Sequence, residues 1–186
     1  MVPFPNLAIF GETSINFSVP VCHGEEGTEL GWVLMTTIKN KEEKVLFAPD
    51  VQGPMSDRTT KMILGENPIL AIIGGPPTYL AEYKVNPKKI KSAILNLEII
   101  AENVPITILD HHILRDENWR ETAQCIIDKA SSVGYKLLTA AEYAGQKNNL
   151  LEAHRKILYE TEKLPQNFTD WTKIPLQERK LVMPPI

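Results

Sequence analysis

The sequence predicts a mixed α/β fold in which antiparallel strands come first and β-α crossovers follow. Residues 14–19, SINFSV, alternate apolar and polar side chains as a half-buried strand does. Two apolar runs, GWVLMTTI and KVLFAPD, flank the polar segment KNKEE and predict an antiparallel hairpin. Beyond residue 55, short apolar runs alternate with segments of helical period, the pattern of strand–helix–strand units.

The later elements have recognisable ends. Ser56 is a candidate N-cap for a short helix in SDRTTKMILGEN. Asn86 and Pro87 suit the cap and first turn of a helix whose Ile90, Ile94 and Leu97 form one apolar stripe. A further helix, ENWRETAQCIIDKASSVGY, stops near its glycine, and LLEAHRKILYETEK is the last one. The runs ILAIIGG, PITILD and KLLT lie between these helices and predict strands.

The length of 186 residues suits one domain with an appended tail. We predict a domain over residues 1–163, which is long enough to bury a core. Residues 164–186 contain four prolines, and we predict an irregular Pro-rich tail there.

Composition and charge exclude several classes of function. A net charge of −3 argues against sequence-independent binding of nucleic acid, which leaves nucleic acid only the role of a substrate. The two cysteines, Cys22 and Cys125, have no CxxC spacing, and a reducing cytoplasm is the expected location. No apolar run reaches the roughly 18 residues of a membrane span, and the N-terminus lacks the basic region of a signal peptide, so no membrane association is expected.

Unusual polar residues follow four of the predicted strands. His23, Asp50, the segment GGPP and the triplet Asp110-His111-His112 each come directly after an apolar run. In open α/β sheets, ligands bind at the carboxyl ends of the strands. Imidazole and carboxylate groups that meet there suit zinc and related divalent ions.

Each of these residues, taken alone, also has a structural explanation. A histidine after a strand is commonly a hydrogen-bonded loop residue, and an aspartate there commonly caps a turn. The segment GGPP forms a rigid turn in many proteins. The combination of histidine, aspartate and histidine on successive strand ends favours a catalytic metal site over these separate explanations.

Five blocks of sequence carry a resemblance to a known superfamily. In chain order they are VCHGEEGTELGWV, VLFAPDVQGP, IIGGPPTYL, ILDHHILRDENW and LLEAHRKILY, between about residues 17 and 159. They resemble the later half of the metallo-β-lactamase fold, and most closely an uncharacterised, largely archaeal branch described as predicted metal-dependent hydrolases. The resemblance implies the C-terminal part of an αββα sandwich.

The resemblance also implies roles for the metal ligands. His23 is similar to the terminal ligand of a first metal, Asp50 to the aspartate that bridges two metals, and His111 to the terminal ligand of the second. The chain has a strand followed by His-xxx-Arg, which is similar to an ending found in tRNA-processing nucleases of the superfamily. That similarity favours His111 over His112, and the choice stays open. Asp110 and His112 are then candidates for catalytic groups that orient a ligand or transfer a proton.

Two further residues are candidates for contact with substrate. Tyr79 follows GGPP and is a candidate hydrogen-bond donor in the pocket wall, and Arg115 is a candidate partner for a substrate anion. The implied activity is hydrolysis by a metal-bound hydroxide. Nucleases of this fold suggest a phosphodiester substrate by analogy.

The chain departs from the superfamily at one motif. It contains no HxHxDH sequence, which normally supplies the other ligands of both metals. Each ion would receive two ligands from this chain, one of them shared, whereas a catalytic zinc takes about three. We therefore expect a two-ion site, with zinc as the expected metal, that is complete only with a chain carrying the missing N-terminal half. We also expect poor metal binding by the chain alone, an uncovered sheet face, and either such a partner or a homo-oligomer.

Two rival interpretations remain open. In a DHH-type phosphoesterase, Asp110, His111 and His112 would all bind metal, but the chain lacks an early DxD motif. In a non-catalytic α/β binding or regulatory module, the polar loops would have no reaction to perform, and the missing HxHxDH motif favours that interpretation.

Overall fold

A seven-stranded mixed sheet organises the chain in the computed structural model, which describes residues 7–81 and 83–185. The strands are β1 (Leu7–Phe10), β2 (Thr13–Phe17), β3 (Val21–Cys22), β4 (Trp32–Val33), β5 (Thr36–Asn40), β6 (Glu43–Ala48), β7 (Leu70–Gly74), β8 (Ile106–Asp110) and β9 (Lys136–Thr139). The large sheet has the order β1-β2-β5-β6-β7-β8-β9, and β3 and β4 form a separate two-stranded ribbon. The predicted mixed α/β class is therefore confirmed.

The large sheet changes character at β6. Strands β1, β2, β5 and β6 pair antiparallel, and the predicted hairpin through KNKEE is the β5–β6 pair. Strands β6, β7, β8 and β9 pair parallel, as β-α crossovers require. Strand β1, LAIF, was not predicted, because its residues do not alternate between apolar and polar. It lies at the sheet edge, and Ile9 and Phe10 are exposed.

Helices connect the parallel strands and follow them. They are α1 (Asp57–Glu66), α2 (Pro87–Asn103), α3 (Trp119–Ser132), α4 (Ala140–Tyr143), α5 (Arg155–Thr161), α6 (Gln166–Lys173) and α7 (Leu176–Arg179), with 3₁₀ turns at Thr78–Leu80 and Ile113–Arg115. The predicted caps are confirmed: the Ser56 hydroxyl accepts from the Thr59 amide and the Asn86 side chain from the Lys88 amide. No described helix is long and apolar enough to cross a bilayer.

The core lies between one face of the sheet and helices α1, α2 and α3. Leu46, Ile73 and Leu109 on the strands and Leu97 and Ile126 on the helices are fully buried. Burial of each such side chain contributes roughly 1.5–3 kcal/mol relative to exposure. This packing fixes where the strands end, and the strand ends carry the polar loops.

The chain divides into two compact units, Met1–Ala153 and His154–Ile186. The second unit contains α5, α6 and α7, so the prediction of an irregular tail is wrong. Pro165 and Pro175 directly precede α6 and α7. Proline ends a preceding helix but suits the start of a new one, because its fixed φ lies near the helical value.

Candidate metal centre

Three neighbouring parallel strands deliver the predicted site residues to one edge of the sheet. Asp50 lies two residues beyond the end of β6, and Asp110 is the last residue of β8. His111 and His112 come directly after Asp110. Strand β7, which lies between β6 and β8 in the sheet, ends at Gly74. His23 comes to the same place from the end of β3. We call this group of His23, Asp50, Asp110, His111 and His112 the site edge.

Asp50 is held in an unusual backbone conformation. Its φ is +52°, in the left-handed region that non-glycine residues adopt rarely. A Cβ on Gly74 would lie 2.8 Å from the Asp50 amide nitrogen, so only glycine permits this close approach of the two backbones. The Gly53 amide donates to the Gly74 carbonyl at 2.8 Å and fixes the loop against β7. Strain of this kind is common at functional sites.

Three imidazole rings converge on a single oxygen of Asp50. The Nε2 atoms of His111 and His112 lie 3.0 and 3.1 Å from Asp50 Oδ1. The Nε2 atom of His23 lies 3.7 Å from the same oxygen. The structure therefore brings together all three metal ligands predicted from the sequence, and adds His112 to them.

The donor atoms fit a divalent cation. One ligand atom from each of His23, Asp50 and His112 lies within 4.8 Å of the other two. His23 Nε2 is buried and has no hydrogen-bond partner, although a buried ring nitrogen normally has one. Imidazole nitrogen and carboxylate oxygen are the ligands that zinc and related ions prefer. A cation among these atoms would give the orphaned nitrogen a partner.

His111 is oriented as a metal-ligating histidine is in known sites. Its Nδ1 lies 3.2 Å from Asp110 Oδ2, while its Nε2 faces Asp50. A neutral imidazole carries one N–H and can donate to only one of these carboxylates. If that donor is Nδ1, then Nε2 is free to bind a metal, the arrangement in which a carboxylate fixes the ring and tautomer of a ligand. His112 has no such orienting contact, because its Nδ1 is buried without a partner.

Burial and neighbouring charge shift the acidity of two groups at the site edge. Burial raises the pKa of Asp50, but hydrogen bonds and positive charge from His111, with His23 and His112, outweigh burial and hold that pKa below its ordinary value. Burial, with the positive charge of His111, lowers the pKa of His112 to about 4, even though Asp50 opposes the shift. His112 is therefore neutral at pH 7, the form that binds metal or accepts a proton.

The two residues predicted to contact substrate lie against each other. Arg115 Nη1 donates to the Tyr79 hydroxyl at 2.6 Å, and the guanidinium lies 5.5 Å from the centre of the Tyr79 ring. The Arg115 amide donates to the His112 carbonyl, which ties the pair to the site edge. Arg115 Nε also lies 3.8 Å from a carboxylate oxygen of Glu152.

Two anchoring contacts were not predicted. Ser56 donates to Glu26 at 2.5 Å, and Lys89 pairs with Glu25 at 3.0 Å, so the loop that carries His23 is fastened to the starts of α1 and α2. Gln52 is buried with φ +54° against Gly24, where a Cβ would lie 2.4 Å from the Gln52 side chain. No local sequence pattern predicts these contacts, because each joins residues that are far apart in the chain.

The chain is similar to archaeal proteins that carry the name UPF0282. It is 40% identical over 146 residues to the UPF0282 protein of Methanopyrus kandleri, covering 78% of this chain and 48% of the relative. It is 40% identical over 157 residues to that of Aeropyrum pernix, covering 82% and 53%. It is 41% identical over 154 residues to that of Pyrococcus furiosus, covering 83% and 47%.

The other comparisons give no match. No family model matches the chain, and no solved structure matches it. The predicted similarity to a largely archaeal family is confirmed, while the metallo-β-lactamase resemblance stays a prediction. The chain spans about half the length of the curated relatives it matches, and it is a homologue of the archaeal UPF0282 proteins.

Proposed function

We propose that this chain carries part of the metal site and substrate pocket of a metal-dependent hydrolase with a metallo-β-lactamase-like fold. The observation that carries the proposal is the convergence of His23, His111 and His112 on one oxygen of Asp50. Three imidazoles surround one carboxylate oxygen, and two of them, His23 and His112, have a buried ring nitrogen without a hydrogen-bond partner. Metal binding explains this arrangement better than hydrogen bonding alone.

The ligands have distinct tasks in this proposal. Two ions would be held by His23, Asp50 and His111, with Asp50 shared between them, His23 serving the first and His111 the second. Asp110 orients His111 through Nδ1. His112 is either a third donor or the base that receives a proton, because it is neutral and within reach of Asp50. Bound divalent ions would supply Lewis-acid polarisation of the scissile bond and lower the pKa of water near neutrality.

Arg115 and Tyr79 position the substrate. The guanidinium provides a planar, permanently charged donor set suited to a phosphate or carboxylate, and the Tyr79 hydroxyl holds it in place. A phosphodiester is the substrate class we favour. The net charge of −3 makes a local contact of this kind, rather than a broad basic surface, the means of recognition.

The portion of the relatives that this chain does not span is the proposed source of the remaining ligands. Two ions sharing Asp50 need more donors than the three histidines of the site edge provide. The curated relatives are about twice as long as the matched region. We propose that their other half supplies the missing ligands, as a separate chain or as part of the same one.

Metal analysis tests the proposal. The chain is purified alone and after coexpression with the unmatched part of the Aeropyrum pernix relative, and zinc and manganese are measured by inductively coupled plasma mass spectrometry. We expect about two ions per complex, far fewer in the chain alone, and hydrolysis of bis(p-nitrophenyl) phosphate by the complex only. Absence of metal from both samples would contradict the proposal and favour a non-catalytic module.

A DHH-type phosphoesterase remains the second candidate, because the structure places Asp110, His111 and His112 together at the site edge. The two candidates differ in the role of Asp110. If it orients His111, Asp110→Asn should weaken zinc binding by roughly 10- to 100-fold without changing the stoichiometry. If it is itself a ligand, the same substitution should abolish binding of one ion.

A further inference from the structure

Two adjoining cavities lie at the start of helix α1. The first has a volume of about 240 Å³ and the second a volume of about 280 Å³. Glu26, Ser56 and Arg58 line both, so the two cavities meet at these residues. Together the cavities reach the size of small-molecule sites, which begin at roughly 300 Å³. The proposed hydrolysis uses none of the three shared residues.

Arg58 is a cation with unused donors where the cavities meet. Within the part of the chain that the structure describes, its guanidinium has no hydrogen bond, ion pair or ring contact, whereas Arg115 and Arg120 each bind a neighbouring side chain. Guanidinium groups bind phosphate and carboxylate through parallel N–H donors. Arg58 is therefore free to bind an anion that enters either cavity.

The other charged residues of the two cavities already have partners. Asp57 accepts a hydrogen bond from the Asn96 side chain at 3.1 Å, and Lys89 Nζ lies 3.0 Å from a carboxylate oxygen of Glu25. Neither Asp57 nor Lys89 needs a ligand to complete its contacts. Arg58 is thus the residue that distinguishes these cavities from an ordinary solvated surface.

Trp32 gives the first cavity an exposed aromatic side chain. It is 68% exposed on β4, opposite Cys22 on β3, although tryptophan is highly buried on average. Trp119 and Trp171 each have an arginine guanidinium against the ring, at 4.9 and 5.3 Å from its centre. Among the described residues, no ring or cation lies against Trp32. Nucleobases stack on free aromatic side chains of this kind.

Glu26 offers a hydrogen-bond acceptor to both cavities. Its Oε1 accepts from the Ser56 hydroxyl at 2.5 Å, which holds the carboxylate in place. Its Oε2 has no hydrogen bond to a described residue, and an ionised carboxylate can accept several donors. The amino groups of adenine, guanine and cytosine are such donors. A ligand that satisfies Glu26, Trp32 and Arg58 together has a planar ring with an amino group, and an anion.

We propose that the two cavities form a binding site for a nucleoside monophosphate, with the base stacked on Trp32 and bonded to Glu26 and the phosphate bound by Arg58. A free nucleotide and the terminal nucleotide of an oligonucleotide present this same chemistry. Cys22 lines the first cavity and directly precedes His23, so a strand bound here would lie next to the candidate metal centre. The site requires no metal, and the inference goes beyond the proposed function.

Isothermal titration calorimetry of the full chain in EDTA tests the site, because the chelator removes any contribution from metal. The probes are adenosine 5′-monophosphate (AMP), adenosine, which lacks the phosphate, and ribose 5-phosphate, which lacks the base. We expect AMP to bind at one site per chain and each of the other two to bind at least tenfold more weakly.

Three variants identify the residues that bind AMP. Arg58→Gln and Trp32→Ala should each weaken AMP binding at least fivefold, and Trp32→Phe, which keeps an aromatic ring, should restore most of the loss. The matched control is Lys61→Gln, because Lys61 is an exposed cation on the same helix outside both cavities. Circular dichroism checks that every variant folds.

Failure of AMP to bind the wild-type chain would overturn the inference. Equal binding of adenosine or ribose 5-phosphate, or equal effects of Arg58→Gln and Lys61→Gln, would also overturn it. A 5′-phosphorylated oligoadenylate separates the two sources of the ligand: tighter binding than AMP supports the end of a strand, and weaker binding supports a free nucleotide. AMP binding by a chain that never takes up metal in any complex would support the nucleotide site and contradict the proposed function.

Discussion

The helix-covered core and the site edge lie on the same strands but differ in packing and in backbone conformation. In the core, Leu46, Ile73 and Leu97 are fully buried among apolar neighbours. At the site edge, Asp50 has a left-handed φ and the buried ring nitrogens His23 Nε2 and His112 Nδ1 have no partner. The core contributes stability through burial, whereas the strained backbone and unpartnered polar atoms of the site edge cost stability.

Truncation in the core should give the largest loss of stability. Leu97→Ala removes a fully buried side chain from α2 and leaves a cavity, so the free energy of unfolding should fall by about 2–5 kcal/mol. Leu95→Ala, two residues away on the same helix and 49% exposed, is the control and should change it by less than about 1 kcal/mol. Urea unfolding in EDTA measures both. Equal effects would show that the core is not packed as described.

A methyl group at Gly74 should have a smaller but more informative effect. The added Cβ would meet the Asp50 backbone at 2.8 Å, so the loop must shift, and we expect a loss of roughly 1–3 kcal/mol together with weaker metal binding. Gly65→Ala is the control, because that helical glycine has open space around its Cβ and alanine should be neutral or stabilising. Urea unfolding measures the free energy of unfolding, and zinc titration measures metal binding. If Gly74→Ala changes neither, the close approach of the Gly74 and Asp50 backbones would be contradicted.

Acid should destabilise the metal-free chain through the site edge. The pKa of His112 is about 4 in the folded chain against its ordinary value of 6.5, so between these values the unfolded state binds a proton that the folded state does not. The free energy of unfolding should therefore keep its full value above pH 6.5 and decrease as the pH falls toward 4. The decrease should be about 1–2 kcal/mol after allowance for solvent screening. The lowered pKa of Asp50 adds a further loss at lower pH.

Urea unfolding in a chelator across this pH range measures the effect, with His112→Gln as the variant. The variant should show a shallower decrease between pH 6.5 and 4, because glutamine does not titrate. An identical slope in the wild type and the variant would place the titrating group elsewhere.

The same comparison explains which features the sequence predicts. The caps at Ser56 and Asn86 are local signals, and the periodicity of buried strands and helices is a local pattern, so both were predicted correctly. The convergence of Asp50 with the DHH triplet was predictable because the carboxyl ends of parallel strands share one edge. His23 reaches the same place from the separate β3–β4 ribbon, so that rule does not account for its position. The helices after Pro165 and Pro175 were missed, since proline-rich composition was taken to exclude helix rather than to start it.

Details that depend on long-range packing were not predictable. The sequence favoured His111 over His112 and did not show that both rings reach Asp50, because their distances to Asp50 depend on the turn after β8. The Arg115–Tyr79 contact joins loops after two different strands, so its residues were predicted but their pairing was not. The burial of Gln52 and the Glu26–Ser56 hydrogen bond were not predictable for the same reason, because both depend on contacts between distant segments.

The central claim is that Asp50 and the surrounding histidines hold a divalent metal. Competition with a chromophoric chelator measures zinc affinity in the complex with the unmatched part of the Aeropyrum pernix relative. The complex is made with the wild-type chain, with Asp50→Ala and, as the control, with Asp128→Asn on the exposed surface of α3. We predict that Asp50→Ala lowers the affinity at least tenfold, because the carboxylate is shared by every histidine of the site, while Asp128→Asn leaves it unchanged. Equal affinity of the wild-type chain and Asp50→Ala would contradict the account.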